Sequence, residues 1–168
     1  MTVRAHDPHL SRAEEGVELV SLPDLLKGSD IVSLHVPLDA QTRCLIGSQE
    51  FALMRPDARL INTSRGAIVD EQALLGALQS GRLGGAGLDV LTQEVGASPE
   101  WLRAHPLVQY ARAYPQRLII TPHIGGATRE SMEKTEIFMA QKLRSRAAQW
   151  SSNRLRQEDG VVKREGAV

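Results

Sequence analysis

Three polar residues stand just past the ends of short apolar runs, where the chain has to turn. Arg65 sits in Ser64-Arg65-Gly66, after the run Arg59–Asn62. Glu94 follows a run that ends at Val90, and His123 lies between Pro122 and the pair Gly125-Gly126. A single Arg, Glu or His in a loop is usually a solvated side chain or a local hydrogen-bonding partner. Together at three successive strand ends, with Gly and Pro shaping two of the turns, they point to a site. An Arg grips a carboxylate through two parallel bonds, a His moves protons near neutral pH, and a carboxylate beside a His favours the imidazolium. That set of groups suits the reduction of a 2-keto acid.

The elements that must position these residues are read from alternating patterns. Thr2–His6, Gly16–Val20, Asp30–Val36, Arg59–Asn62, Gly87–Val90 and Arg117–Thr121 read as strands, several of them stopped by proline. Between them, helices are expected from Leu22 to Lys27 after Ser21, from Ser48 toward Met54, and from Glu71 to Ser80 behind an Asp70 cap. A helical turn is expected after Ser98-Pro99-Glu100, a helix over Leu107–Tyr114, and the longest helix from Thr128. Strands alternating with helices imply βαβ units, hence an α/β fold with a parallel sheet covered on both faces. In such sheets ligands bind beyond the carboxyl ends of the strands, which would bring Arg65, Glu94 and His123 to one site. Residues 1–150 are expected to form the domain, and residues 151–168 a frayed tail.

Composition narrows the alternatives. The 168 residues carry 20 basic and 20 acidic side chains, so no basic excess marks a nucleic-acid or anionic-membrane partner. The single Cys44 excludes an internal disulfide framework and a cysteine-rich zinc site, and with no HExxH pair no metal is expected. No apolar run reaches the length of a membrane span, and a cytoplasmic setting is the default expectation. With two each of Phe, Trp and Tyr, the core must rest on Leu, Ile, Val and Ala. The cluster Gly81, Gly84, Gly85, Gly87 does not satisfy GxGxxG and reads as a loop feeding a strand. Asn62-Thr63-Ser64-Arg65-Gly66 misses the GxSxG nucleophile elbow, so Ser64 is a poor candidate nucleophile.

Four stretches carry a specific resemblance. They are SDIVSLHVPLDAQTRCLIG (29–47), MRPDARLINTSRGAIVDEQAL (54–74), GAGLDVLTQE (85–94) and ITPHIGGATRESM (120–132). In order and spacing, from Asp7 to about Leu143, the sequence resembles the D-isomer-specific 2-hydroxyacid dehydrogenases, particularly phosphoglycerate dehydrogenase-like members. The resemblance implies a Rossmann-like domain, NAD as cofactor and a small 2-hydroxy or 2-keto acid as substrate. It implies Arg65 as the carboxylate clamp, His123 as the acid–base residue and Glu94 as the partner that orients it. It also implies Asp7 at the adenosine ribose and Asp89 at the nicotinamide carboxamide. His35, Val36, Pro37, Thr63, Ser64, Gly125 and Gly126 are implied to line the cofactor cleft.

Departures accompany the match. The family's substrate domain, and the first strand with its GxGxxG loop, precede the Asp7 strand and are not in these residues. The chain is therefore expected to be a fragment, inactive alone. An alternative is a non-enzymatic remnant or interaction module on the same scaffold. Another is a glyoxylate or hydroxypyruvate reductase using NADP, against which Asp7 speaks because a carboxylate opposes a 2′-phosphate. The residues leave the oligomeric state open, and the resemblance adds only that relatives dimerise through this domain.

Overall fold

A computed structural model describes residues 1–162, with side chains as far as Arg146. The chain divides into two compact units, the first spanning Met1–Gly125 and the second beginning at Gly126.

In the first unit, β1 (Val3–Ala5) and β2 (Val17–Leu19) pair in parallel as a small sheet of their own. Helix α1 (Leu22–Gly28) follows, its Ser21 cap accepting the Asp24 N–H. The main sheet contains β3 (Ile31–Leu34), β4 (Arg59–Asn62), β5 (Gly85–Leu88) and β6 (Leu118–Ile120), all parallel and in chain order. Between these strands come α2 (Ser48–Leu53), a 3₁₀ turn (Gly66–Ile68), α3 (Glu71–Gln79), α4 (Pro99–Ala104) and α5 (Pro106–Ala113). Side-chain caps begin α3 and α4. Asp70 accepts from the N–H groups of Gln72 and Ala73, and Ser98 from that of Trp101.

Register determines which side chains share a face. Val32, Leu60, Ala86 and Leu118 lie in line across the sheet, and Leu34, Asn62 and Leu88 form the next row. Both rows are buried against Leu26, Phe51, Leu74, Leu78 and Leu107 from α1, α2, α3 and α5. The opposite face carries Ile31, Ser33, Ile61, Gly87 and Ile119, of which Ile31 and Ile119 are each 63% exposed. Thus in this unit the helices cover one face, where the sequence pattern suggested two. The reason is topological: four parallel strands advancing in one direction through right-handed crossovers must place every connecting helix on the same side.

The glycine cluster also differs from its sequence reading. Gly85 and Gly87 lie inside β5, which begins two residues earlier than expected and ends at Leu88. Pairing of Gly85 with Arg59 sets that start, and backbone pairing needs no β-forming side chain.

The second unit is one helix, α6 (Arg129–Val162), which extends through much of the expected tail; residues 163–168 lie outside the described residues. Met132, Met139 and Leu143 fall on one side of it and are exposed.

Candidate active site

The turn after β4 is built on a buried side chain. Asn62, 1% exposed, donates from Nδ2 to the Arg65 carbonyl (2.9 Å) and accepts at Oδ1 from the Ser64 N–H (3.1 Å). Both halves of the amide are therefore used to fold residues 62–65 into a fixed shape. Ser64 Oγ donates to the Leu34 carbonyl (2.8 Å), tying this turn to the end of β3. Arg65 is exposed at the start of the 3₁₀ turn, with Nη1 donating to its neighbour's carbonyl at Ser64.

Beyond β5 the chain runs through Asp89, Val90 and Leu91, all buried, then reverses. Gln93 has φ +62°, a left-handed conformation uncommon for a side-chain-bearing residue. The reversal lets Glu94 reach back, so that its Oε2 accepts the Leu91 N–H at 2.8 Å. The other oxygen, Oε1, lies 2.6 Å from His123 Nδ1. An ionised carboxylate can only accept, so Nδ1–H donates and Nε2 is the ring nitrogen left for another partner.

His123 itself has φ +55°, and its side chain is 47% exposed. Asp89 braces the loop that carries it, accepting from Thr121 Oγ1 and the N–H groups of Ile124 (2.9 Å) and Gly125 (2.7 Å). Burial pushes the Asp89 carboxyl up, but these hydrogen bonds and the His123 charge outweigh burial and hold it below the ordinary carboxylate range. Left-handed backbone at both Gln93 and His123 is the kind of local cost that persists only where surrounding contacts over-determine it.

Two glycines bring the three loops together. A Cβ on Gly66 would lie 2.2 Å from the Leu91 carbonyl carbon and 2.3 Å from the Thr92 nitrogen, so the β4 turn rests directly on the β5 turn. A Cβ on Gly125 would lie 2.9 Å from Asp89 Oδ2 and 3.9 Å from the Thr63 Cβ, which joins the β6 loop to the other two. Arg65 precedes Gly66 directly, so its backbone stands next to the β5 turn. Glu94 and His123 line one end of a cavity of about 620 Å³ whose walls include Trp101, Leu102 and Ile119, while the exposed Arg65 guanidinium is not among the groups that line it.

The residues implied for a cofactor are spread along the carboxyl ends of the strands. His35, Pro37 and Thr63 are exposed, and Val36 packs partly on the core. Asp7 follows β1 and uses Oδ1 to accept the His9 N–H (2.8 Å), which leaves Oδ2 for an outside donor. Asp89 is only 4% exposed and is engaged as a brace, a role the sequence pattern did not suggest. Gly126 begins the second unit. The sequence reading also passed over Asn62, Thr121 and Gln93. Of these only Asn62 had a usable signal, a polar residue on the buried side of an alternating strand.

Comparison with known proteins identifies the family. Residues 1–125 match the family described as D-isomer specific 2-hydroxyacid dehydrogenase, NAD binding domain. The chain is 43% identical over 130 residues to a glyoxylate reductase of Thermococcus litoralis, covering 77% of this chain and 36% of that protein. It is 37% identical over 147 residues to a D-3-phosphoglycerate dehydrogenase of Synechocystis, covering 86% and 24% respectively. Among solved structures, an acyclic imino acid reductase in complex with NADPH and D-Arg aligns with a TM-score of 0.75 at 34% identity, over 89% of this chain and 44% of that one. A D-lactate dehydrogenase with NAD⁺ from Lactobacillus jensenii aligns with a TM-score of 0.69 at 33% identity, over 79% and 41%. The chain thus spans well under half the length of the proteins it matches. Its motifs, its parallel sheet and its matched residues assign it to one group: the chain belongs to the D-isomer-specific 2-hydroxyacid dehydrogenase family, as an NAD-binding domain.

Proposed function

We propose that this chain supplies the cofactor half and the acid–base machinery of an NAD-dependent D-2-hydroxyacid dehydrogenase. The observation that carries the reading is the 2.6 Å pair of His123 Nδ1 and Glu94 Oε1, set beside the turn that bears Arg65. The donor set suits the cofactor. The free Asp7 oxygen can take a ribose hydroxyl, and Thr63 and His35 offer polar groups at adjacent strand ends. Val36, Pro37, Ser64 and Gly125 complete the proposed lining, with Asp89 held against Gly125. When bound, the nicotinamide supplies or accepts the hydride. Arg65 holds the substrate carboxylate through its planar fork. His123 delivers a proton from Nε2 to the keto oxygen, or removes one from the hydroxyl in the oxidative direction. Glu94 keeps the ring in the tautomer and orientation that aim Nε2 outward.

A small 2-keto acid is the proposed substrate class, and the Asp7 carboxylate favours NAD over a cofactor with a 2′-phosphate. A chimera tests the reading. Residues 1–125 replace the matching segment of the Thermococcus litoralis glyoxylate reductase, and NADH-dependent reduction of glyoxylate is followed through the loss of NADH absorbance. Turnover by the chimera is expected. A folded chimera that binds NADH without turnover refutes the proposal.

A further inference from the structure

A second polar pair lies behind the first, and the catalytic scheme above leaves it unused. Glu71, in the first turn of α3, and His105, between α4 and α5, meet with His105 Nε2 3.2 Å from Glu71 Oε2. His105 is 9% exposed, packs against Trp101 with ring centroids 4.7 Å apart and planes tilted by 59°, and its Nδ1 has no hydrogen-bond partner among the described residues. A buried imidazole nitrogen left unpaired is costly, which directs attention to what the other nitrogen's contact achieves. That other contact leads toward the site. The second Glu71 oxygen, Oε1, accepts the Thr92 N–H at 2.7 Å, although the two residues are 21 apart in sequence.

Thr92 is the residue after Leu91, whose own N–H holds Glu94. The consecutive amides of Leu91 and Thr92 are therefore each held by a carboxylate, the first from within the turn and the second from outside it. The same stretch is pressed from another side by the Gly66 backbone. Thr92 lies in the chain between Leu91 and Glu94, so a swing of its backbone displaces Glu94 relative to the Leu91 N–H that sets the direction of its Oε1.

We propose that Glu71, locked by His105, is a positioning residue for the Glu94–His123 pair: it clamps the Thr92 N–H and so fixes the turn from which Glu94 aims at His123 Nδ1. The geometric statement stands on the contacts alone, and its consequence for turnover rests on the function proposed above.

The test is spectroscopic and uses the 168-residue chain, so it is independent of whether a dehydrogenase reaction occurs. Ring ¹⁵N resonances of the histidines report tautomer and hydrogen bonding, and a His123→Ala spectrum assigns His123 among the five. Glu94→Gln gives the reference displacement for a His123 that has lost its carboxylate. In Glu71→Ala the His123 signals are expected to move at least half of that displacement, with amide exchange at Thr92 about tenfold or more faster. Glu71→Gln retains a carbonyl oxygen for the Thr92 N–H and is expected to restore the wild-type His123 signals. Leu74→Ala, a core truncation on the same helix, controls for general destabilisation and is expected to leave them in place. Unmoved His123 signals in a folded Glu71→Ala protein overturn the proposal. So does an equal displacement in Leu74→Ala, or a failure of Glu71→Gln to rescue.

Discussion

Replacing Asp89 with Asn exchanges one carboxylate oxygen for an NH₂ group and weakens the brace under His123. In the wild-type protein one carboxylate, almost wholly buried, receives Thr121 Oγ1, the Ile124 N–H and the Gly125 N–H. An Asn side chain offers one oxygen, so at least one of the three donors must face an NH₂ group. Hydrogen bonds to a charged group contribute about 1.5–3 kcal/mol each, against about 1 for neutral pairs. One bond is lost and two are weakened, while the neutral amide is cheaper to bury, which gives an expected net cost of about 2–3 kcal/mol. In urea that is a midpoint lower by about 1–2 M for a typical slope. The pH dependence carries a sign. The Asp89 carboxyl is held below its ordinary value in the folded protein, so its contribution is fully present above the unfolded value of about 4 and is lost as pH falls through the lower folded value. Asp89→Asn has no such group, so the stability gap between the two proteins is expected to narrow below about pH 4. Urea unfolding at neutral and acid pH measures both quantities. A gap under about 0.5 kcal/mol at neutral pH, or one that does not narrow on acidification, refutes this account of the brace.

Gly66→Ala places a methyl 2.2 Å from the backbone of Leu91, where no flexible side chain can yield. A loss of about 3 kcal/mol or more is expected by thermal unfolding, together with altered amide shifts at Leu91 and Thr92; a neutral substitution would show that the two turns do not touch. Asn62→Ala strips the 62–65 turn of both its side-chain bonds in a buried setting. It is expected to cost about 2–3 kcal/mol in urea unfolding, and the same change within about 0.5 kcal/mol of wild type would show the turn to be held by other contacts.

What was legible in the sequence was local. Ser21, Asp70 and Ser98 announce their helices because an N-cap acts within three residues, and Pro37 and Pro122 end their strands through their own ring. The four family stretches pointed to Arg65, Glu94 and His123, and the 3₁₀ turn after Arg65 is a tightening of the turn already expected there. The contacts that hold these residues in place were not legible, because each depends on partners far apart in the chain. Glu71 reads as a favourable first-turn acid on α3, and only the folded chain brings Thr92 and His105 to it. Asp89 reads as a polar strand end, and its donors arrive from 32 to 36 residues away. The strand pattern gave no indication of the left-handed Gln93 and His123, since neither is glycine. The separate pairing of β1 with β2 was likewise hidden, since alternation identifies strands and not their neighbours.

In the proposed reaction His123, aimed by Glu94, moves the proton. The most direct measurement is the turnover number of the glyoxylate reductase chimera with and without His123→Ala, read beside the NADH dissociation constant. Removal of a general acid–base group is expected to lower turnover by about 10²–10⁴-fold. The dissociation constant should stay close to that of the parent chimera, because the His123 ring is paired with Glu94 and its removal leaves the proposed Asp7, His35 and Thr63 donors in place. Turnover that survives in His123→Ala, or a loss explained entirely by weakened NADH binding, would contradict the account.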